Sequence, residues 1–174
     1  MHRRVYIRAC ILLQYERATE RKRDASPRTG TTDIIKEVTM MIIAVDFDGV
    51  LCDNDFPGIG LPKYEVISLV RQLIDLEQEV ILWTSRTDAE LESAVKWCGD
   101  YGLHFCAVNE NAPSNIAKYR EKYPNGTRKV FADVYVDDHS LGYVTNRKAD
   151  TTKSIIAQLS ALITIIKSTQ EEKV

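Results

Sequence analysis

The sequence predicts an α/β protein: a three-layer, Rossmann-like parallel sheet flanked by helices. Three observations carry this. Short apolar runs such as Ile42-Ile43-Ala44-Val45 are hydrophobic at every position, as strands buried on both faces are. They alternate with longer stretches of helical periodicity. At 174 residues, with 44% hydrophobic content, the chain suits one core and one domain.

The first strand, Ile42 to Val45, runs into Asp46-Phe47-Asp48-Gly49-Val50. Residues two apart on an extended chain face the same way, so Asp46 and Asp48 should project together. They leave the carboxyl end of a strand, where open α/β sheets bind ligands. Gly49 lets the chain turn away. Two unit charges about 4 Å apart at an effective dielectric near 20 repel by about 4 kcal/mol, so a cation must neutralise them or one must take a proton. Hard carboxylate oxygens suit Mg²⁺, especially with phosphate oxygens to complete its shell. An ionised Asp46 can attack phosphorus without an activating base. Asp48 can hold a proton for the leaving oxygen. The bland alternative is a carboxylate pair that caps a helix or faces water.

About ten residues, Cys52 to Leu61, separate this turn from the next helix, too few for an inserted lid. Gly58, Gly60 and the flanking prolines mark a loop or flap, with Phe56 and Ile59 as candidates for substrate contact or loop packing. A helix is expected from Tyr64 to Leu76, with Val66, Leu69, Val70 and Ile74 inward.

The second strand, Glu79 to Trp83, leads into Thr84-Ser85-Arg86, whose hydroxyls and N–H groups can hold a phosphoryl oxygen; Thr84 can equally be a helix-start residue. Thr87-Asp88-Ala89-Glu90 reads as a capping box. Leu91, Ala94, Val95 and Cys98 follow at helical spacing, and Gly102 is a stop signal. A short strand (His104 to Val108) and a helix (Ser114 to Tyr123) come next. The fourth strand, Ala132 to Val136, ends in Asp137-Asp138-His139. Lys129 lies eight positions before Asp137 and could offset negative charge on nucleophile and phosphate; it could equally be a solvated surface lysine. Lys153 to Ser168 is amphipathic, with Ile155, Leu159, Leu162 and Ile166 on one face and Ile156 and Ile163 beside it. It would cover the sheet or meet a second copy of the chain.

This order of strand-Asp-x-Asp, strand-Thr, Lys and strand-Asp-Asp resembles the haloacid dehalogenase (HAD) superfamily of phosphohydrolases, over residues 41 to 143. The resemblance implies a HAD-like core in a small capless member. It implies Asp46 as nucleophile, Asp48 as general acid/base, Thr84 on the phosphoryl group and Lys129 on its charge, with Lys118, Lys122 and Arg128 as competitors for that last role. Mg²⁺ would be held by Asp46, Asp137 and the Asp48 carbonyl, with Asp138 a ligand or its partner. Many members carry Thr where this chain has Val50. The implied activity is phosphomonoester hydrolysis through an aspartyl-phosphate. A nucleotidase or nucleic-acid end phosphatase of the same superfamily, and a phosphate-binding protein without turnover, are the alternatives. An open cleft suits a bulky or macromolecular phosphate ester as well as a small one.

Composition narrows the partners. No apolar run approaches a membrane span. The net charge of −2 argues against general nucleic-acid affinity. Cys10, Cys52, Cys98 and Cys106 lack metal-ligand spacing, which fits reduced thiols in a cytoplasm. His2, His104 and His139 form no metal motif. Residues 1–39 read as an N-terminal extension, disordered or non-native, with the domain spanning 40–174 from Met40 or Met41. Arg17 to Gly30 is polar and charged, and residues 1–40 hold nine Lys/Arg against five Asp/Glu. A mitochondrial presequence (Arg3, Arg4, Arg8) and a nucleic-acid contact (Arg21-Lys22-Arg23) are the rival readings of this segment.

Overall fold

A computed structural model describes residues 40–124, 126–140 and 150–171. The expectations for residues 1–39, for 141–143 at the end of the HAD-like segment, and for residues 172–174 lie outside the described residues. Among the described residues four strands and four helices alternate: β1 (Ile42–Val45), α1 (Tyr64–Asp75), β2 (Glu79–Leu82), α2 (Asp88–Asp100), β3 (Ala107–Val108), α3 (Pro113–Tyr119), β4 (Val134–Val136) and α4 (Thr151–Glu171). The strands form one sheet in the order β3-β2-β1-β4, every pairing parallel. Parallel neighbours need long crossovers, and the helices supply them. The fold is a small Rossmann-like α/β sheet flanked by four helices.

Pleat alternation divides the core in two. Ile43, Val45, Val80, Leu82, Val108 and Val136 face a large cluster completed by α1, α2 and α4. Ile42, Ala44, Ile81, Ala107 and Ala132 face a second, smaller one. α4 presents Ile155, Leu159, Ile163 and Ile166, all buried, and packs on α1. Each such side chain contributes about 1.5–3 kcal/mol by leaving water. The buried stripe of α1 is Val66, Ile67, Val70 and Leu73, a rotation from the expected face; Leu69 and Ile74 flank it.

Some boundaries move. β3 begins at Ala107, not His104, because Leu103 and Phe105 turn into the core instead of extending an edge strand. β4 begins at Val134; just before it, the Asp133 carboxylate accepts the Ile42 N–H at 2.8 Å, in place of a ladder bond. α3 stops at Tyr119, after a Pro at its start. The expected capping box does not form: Thr87 occupies the N-cap but its side chain makes no capping bond. Gly102 does end α2, at φ +73°, with the Leu103 N–H returning to the Cys98 carbonyl. Among the described residues no helix is long and apolar enough to cross a membrane.

Candidate active site

Register builds the site. Val45 pairs with Leu82 and with Val136, and Leu82 with Val108. The next residues on the four strands are therefore level at the carboxyl rim: Asp46, Trp83, Asp137 and Asn109. Their N–H groups continue the ladders, Asp46 to the Val136 carbonyl at 2.9 Å, Trp83 to Val45 at 2.8 Å, and Asn109 to Leu82 at 2.9 Å. β1 and β4 are neighbours, so Asp46 and Asp137 start about 4.8 Å apart. One carboxylate oxygen from each of Asp46, Asp137 and Asp138 lies within 4.8 Å of the others.

Gly49 admits Asp138 to this cluster. It adopts φ +80°, and a Cβ built there would collide with Asp138 Oδ2. Gly49→Ala should therefore displace Asp138 and cost about 1–3 kcal/mol, read as a lower midpoint in urea unfolding. A variant of unchanged stability would show that the close approach is dispensable.

Asp137 Oδ1 accepts the His139 N–H at 2.8 Å, which orients its carboxylate. Asp138 Oδ1 is buried without a hydrogen-bond partner. The exposed His139 ring stands off at 3.7 Å, beyond bonding distance. Burial, then the charges of Asp137, Asp138 and Asp48, push the Asp46 carboxyl up to about 7, against the pull of its bond from the Phe47 N–H. Without a cation, this is the carboxylate that takes up a proton.

Asp48 stands apart from the cluster. Its two oxygens accept Arg86 Nε and Nη2, each at 2.7 Å, in a bidentate pair. Expected among the metal ligands and as the acid/base, it keeps its side chain on Arg86, which leaves its backbone carbonyl as the atom it could offer a cation. Arg86 is 2% exposed, and the bonds to Asp48 raise its pKa above the ordinary arginine value. Its Nη1 and Nη2 also donate to the Pro57 and Gly58 carbonyls, and its guanidinium lies over the Phe47 and Phe56 rings. Arg86 thus joins the acid turn, the flap and the turn after β2.

Thr84 sits at the end of β2, held by Asn109. Its N–H donates to Asn109 Oδ1 and its carbonyl accepts Asn109 Nδ2, both at 2.8 Å. Its hydroxyl oxygen accepts the Arg86 N–H at 3.2 Å. Lys129 makes no ion pair with the acids: it is exposed, and its ammonium lies 6.0 Å from the Tyr135 ring centre. Lys63 is brought to the turn instead, its Nζ donating to the Gly49 carbonyl at 2.5 Å. Lys63 and Asn109 carried no motif in the sequence. Arg86 was visible only as a neighbour of Thr84.

Cys52, Cys98 and Cys106 are free thiols. Burial pushes Cys52 up to about 11 and Cys106 up to about 12, and raises Cys98 further, so they are poor nucleophiles beside Asp46.

Fold and rim together define a small Rossmann-like protein with a carboxylate cluster at a sheet switch. A solved structure, that of a conserved protein coded by a locus from Bacteroides thetaiotaomicron, is 30% identical to it, covering 64% of this chain and 93% of that one, with a TM-score of 0.52. The chain belongs to the family of that conserved protein. No protein-family model and no curated protein matches it.

Proposed function

We propose that this protein is a Mg²⁺-dependent phosphomonoester hydrolase of the haloacid dehalogenase superfamily, acting through an aspartyl-phosphate on Asp46. The observation that carries the reading is the convergence of Asp46, Asp137 and Asp138 from adjacent strand ends. The donor set fits the ion: all oxygen, three of them carboxylate, with one buried Asp138 oxygen lacking a partner. Asp46, Asp137 and Asp138 would hold it, with the Asp48 carbonyl. When bound, Mg²⁺ supplies charge neutralisation for carboxylate and phosphate.

Asp46 would attack phosphorus in line; the P–O ester bond breaks as the aspartyl O–P bond forms, and the leaving oxygen takes a proton from water or from Asp48 once it has left Arg86 and been protonated. Water cleaves the acyl phosphate and returns Asp46. The Thr84 hydroxyl is free to donate to a phosphoryl oxygen while it accepts the Arg86 N–H. Asp48 serves as acid and base only when its pair with Arg86 opens, so proton transfer is coupled to movement of the guanidinium that also holds the Pro57 and Gly58 carbonyls. Lys63, beside the Gly49 carbonyl, is better placed than Lys129 to steady the charge. The open rim suits a phosphorylated small molecule or macromolecule, and the free thiols suit a reducing cytoplasm.

Hydrolysis of p-nitrophenyl phosphate tests the reading. Turnover should require Mg²⁺ and vanish in EDTA; equal rates in both would overturn it. The locked Asp48–Arg86 pair favours a second reading, a phosphate-binding protein without turnover. Mg²⁺-induced thermal stabilisation with no phosphate release across a broad panel of esters would select that one.

A further inference from the structure

A second feature lies on the sheet face opposite α1, α2 and α4. The strands present Ile42, Ala44, Ile81 and Ala107 there, packed with Ala112, Val130 and Ala132. A cavity of about 1040 Å³ opens beside Val130 and Ala132 of this cluster, walled by Tyr119, Tyr123, Phe131 and Tyr135 and rimmed by Arg120 and Lys129. The four rings are 37–48% exposed, so they are not core.

Charge gathers on the segment that supplies most of the wall, with Arg120 and Lys129 in the lining itself. Residues 113–131 carry five Lys/Arg against one Glu, a net +4, so the rest of the chain carries −6. An ammonium lies over one face of each of these tyrosines, Lys118 at 5.6 Å from the Tyr119 ring centre, Lys122 at 5.4 Å from Tyr123 and Lys129 at 6.0 Å from Tyr135, which leaves the other face for a base. Glu110 is the acidic residue of the lining.

We propose that this cleft binds a single-stranded segment of nucleic acid, its bases on the rings and its phosphates on the neighbouring cations. Repeated ring-plus-cation pairs match the repeat of base and phosphate along a strand. A duplex keeps its base faces stacked and closed to such rings. The volume lies at the upper end of small-molecule pockets, roomier than one nucleotide needs. The chain's net negative charge hides this patch because the acids sit elsewhere. The cleft also meets the candidate active site: Tyr135 precedes Asp137 by two residues on one strand face, and Asn109 both lines the cavity and grips Thr84.

The test is fluorescence anisotropy with a labelled oligothymidylate of about twelve nucleotides, on the full chain in EDTA. Reading binding without Mg²⁺ separates this proposal from the hydrolysis proposed above. Saturable binding that weakens with salt is expected. Tyr119→Ala, Tyr123→Ala and Phe131→Ala should each weaken it on the order of tenfold, with thermal midpoints unchanged. Lys118→Gln and Lys122→Gln should each flatten the log–log salt slope by about one, while Lys96→Gln, on exposed α2 surface, should change neither. Absent binding at low salt, ring variants that bind as well as the parent, or equal competition by a duplex of the same length would overturn the proposal. So would thymidine monophosphate binding as tightly as the oligonucleotide.

Discussion

Asp46→Asn should abolish phosphate release and, in the metal-free protein, raise stability at neutral pH. The two effects have opposite signs and one cause. Asp46 is partly buried and also faces the charges of Asp137, Asp138 and Asp48, which together lift its carboxyl from 3.8 to about 7. A carboxyl whose folded pKa lies above its unfolded value binds its proton more tightly in the folded state. Its contribution is therefore intact below about pH 4 and lost as pH rises through 7. Each unit of difference corresponds to about 1.4 kcal/mol, a ceiling near 4 kcal/mol. Solvent screening of a partly exposed group brings this to about 1–3 kcal/mol. The amide cannot ionise, so melts in EDTA should show parent stability falling from pH 5 to pH 8 more steeply than that of Asp46→Asn. Saturating Mg²⁺ should erase the deficit, since a ligand at about a hundredfold its Kd adds about 2.7 kcal/mol. The same amide is no nucleophile, and hydrolysis should drop by at least about 10³-fold. An Asn variant that keeps a tenth of the activity would remove Asp46 from the chemistry, and equal pH slopes would remove the electrostatic account.

The acidic rim was legible because it rests on local rules. Ile42 to Val45 is apolar at every position, and β1 is indeed buried throughout. Asp46 follows this run and Asp137 follows the shorter, half-exposed Val134-Tyr135-Val136, so parallel pairing in register sufficed to bring them together. What could not be read was pairwise and distant. Asp48 and Arg86 are 38 residues apart, and nothing in either segment marks one as the other's partner. Local alternation put Asp48 beside Asp46, whereas the turn at Gly49 and the pull of the guanidinium took its side chain away. Lysines carry no positional signal. Lys129 was placed by its distance from Asp137, and the loop between them carries it to Tyr135; Lys63 precedes α1 and reaches the acid turn through tertiary folding. Asn109 works through a left-handed backbone at φ +51°, which sequence patterns do not encode. The one-notch rotation of α1 reflects its packing on α4, an element far along the chain.

Arg86→Met should lower stability by about 3–5 kcal/mol, a large effect for one side chain. The apolar stem keeps most of the volume, so the loss is polar. Asp48, whose side chain is only 18% exposed, is left as a charge without its counter-ion. The Pro57 and Gly58 carbonyls lose their guanidinium donors as well. The surviving acid gives the cost its size: removing one partner of a buried pair is far worse than removing both. Arg86→Met/Asp48→Leu should therefore recover a substantial part of the deficit, and a double-mutant cycle in urea should return a coupling above about 1.5 kcal/mol. Arg86→Lys keeps the charge but not the fork, and one ammonium cannot serve both carboxylate oxygens and two carbonyls. It should fall between the parent and Met. Since the same guanidinium ties the flap to the turn after β2, protease cleavage between Asp53 and Leu61 should speed up in step with the stability loss. A cost under about 1 kcal/mol would put this pair with ordinary surface salt bridges. In that case Asp48 would be free to act on a substrate without first leaving Arg86.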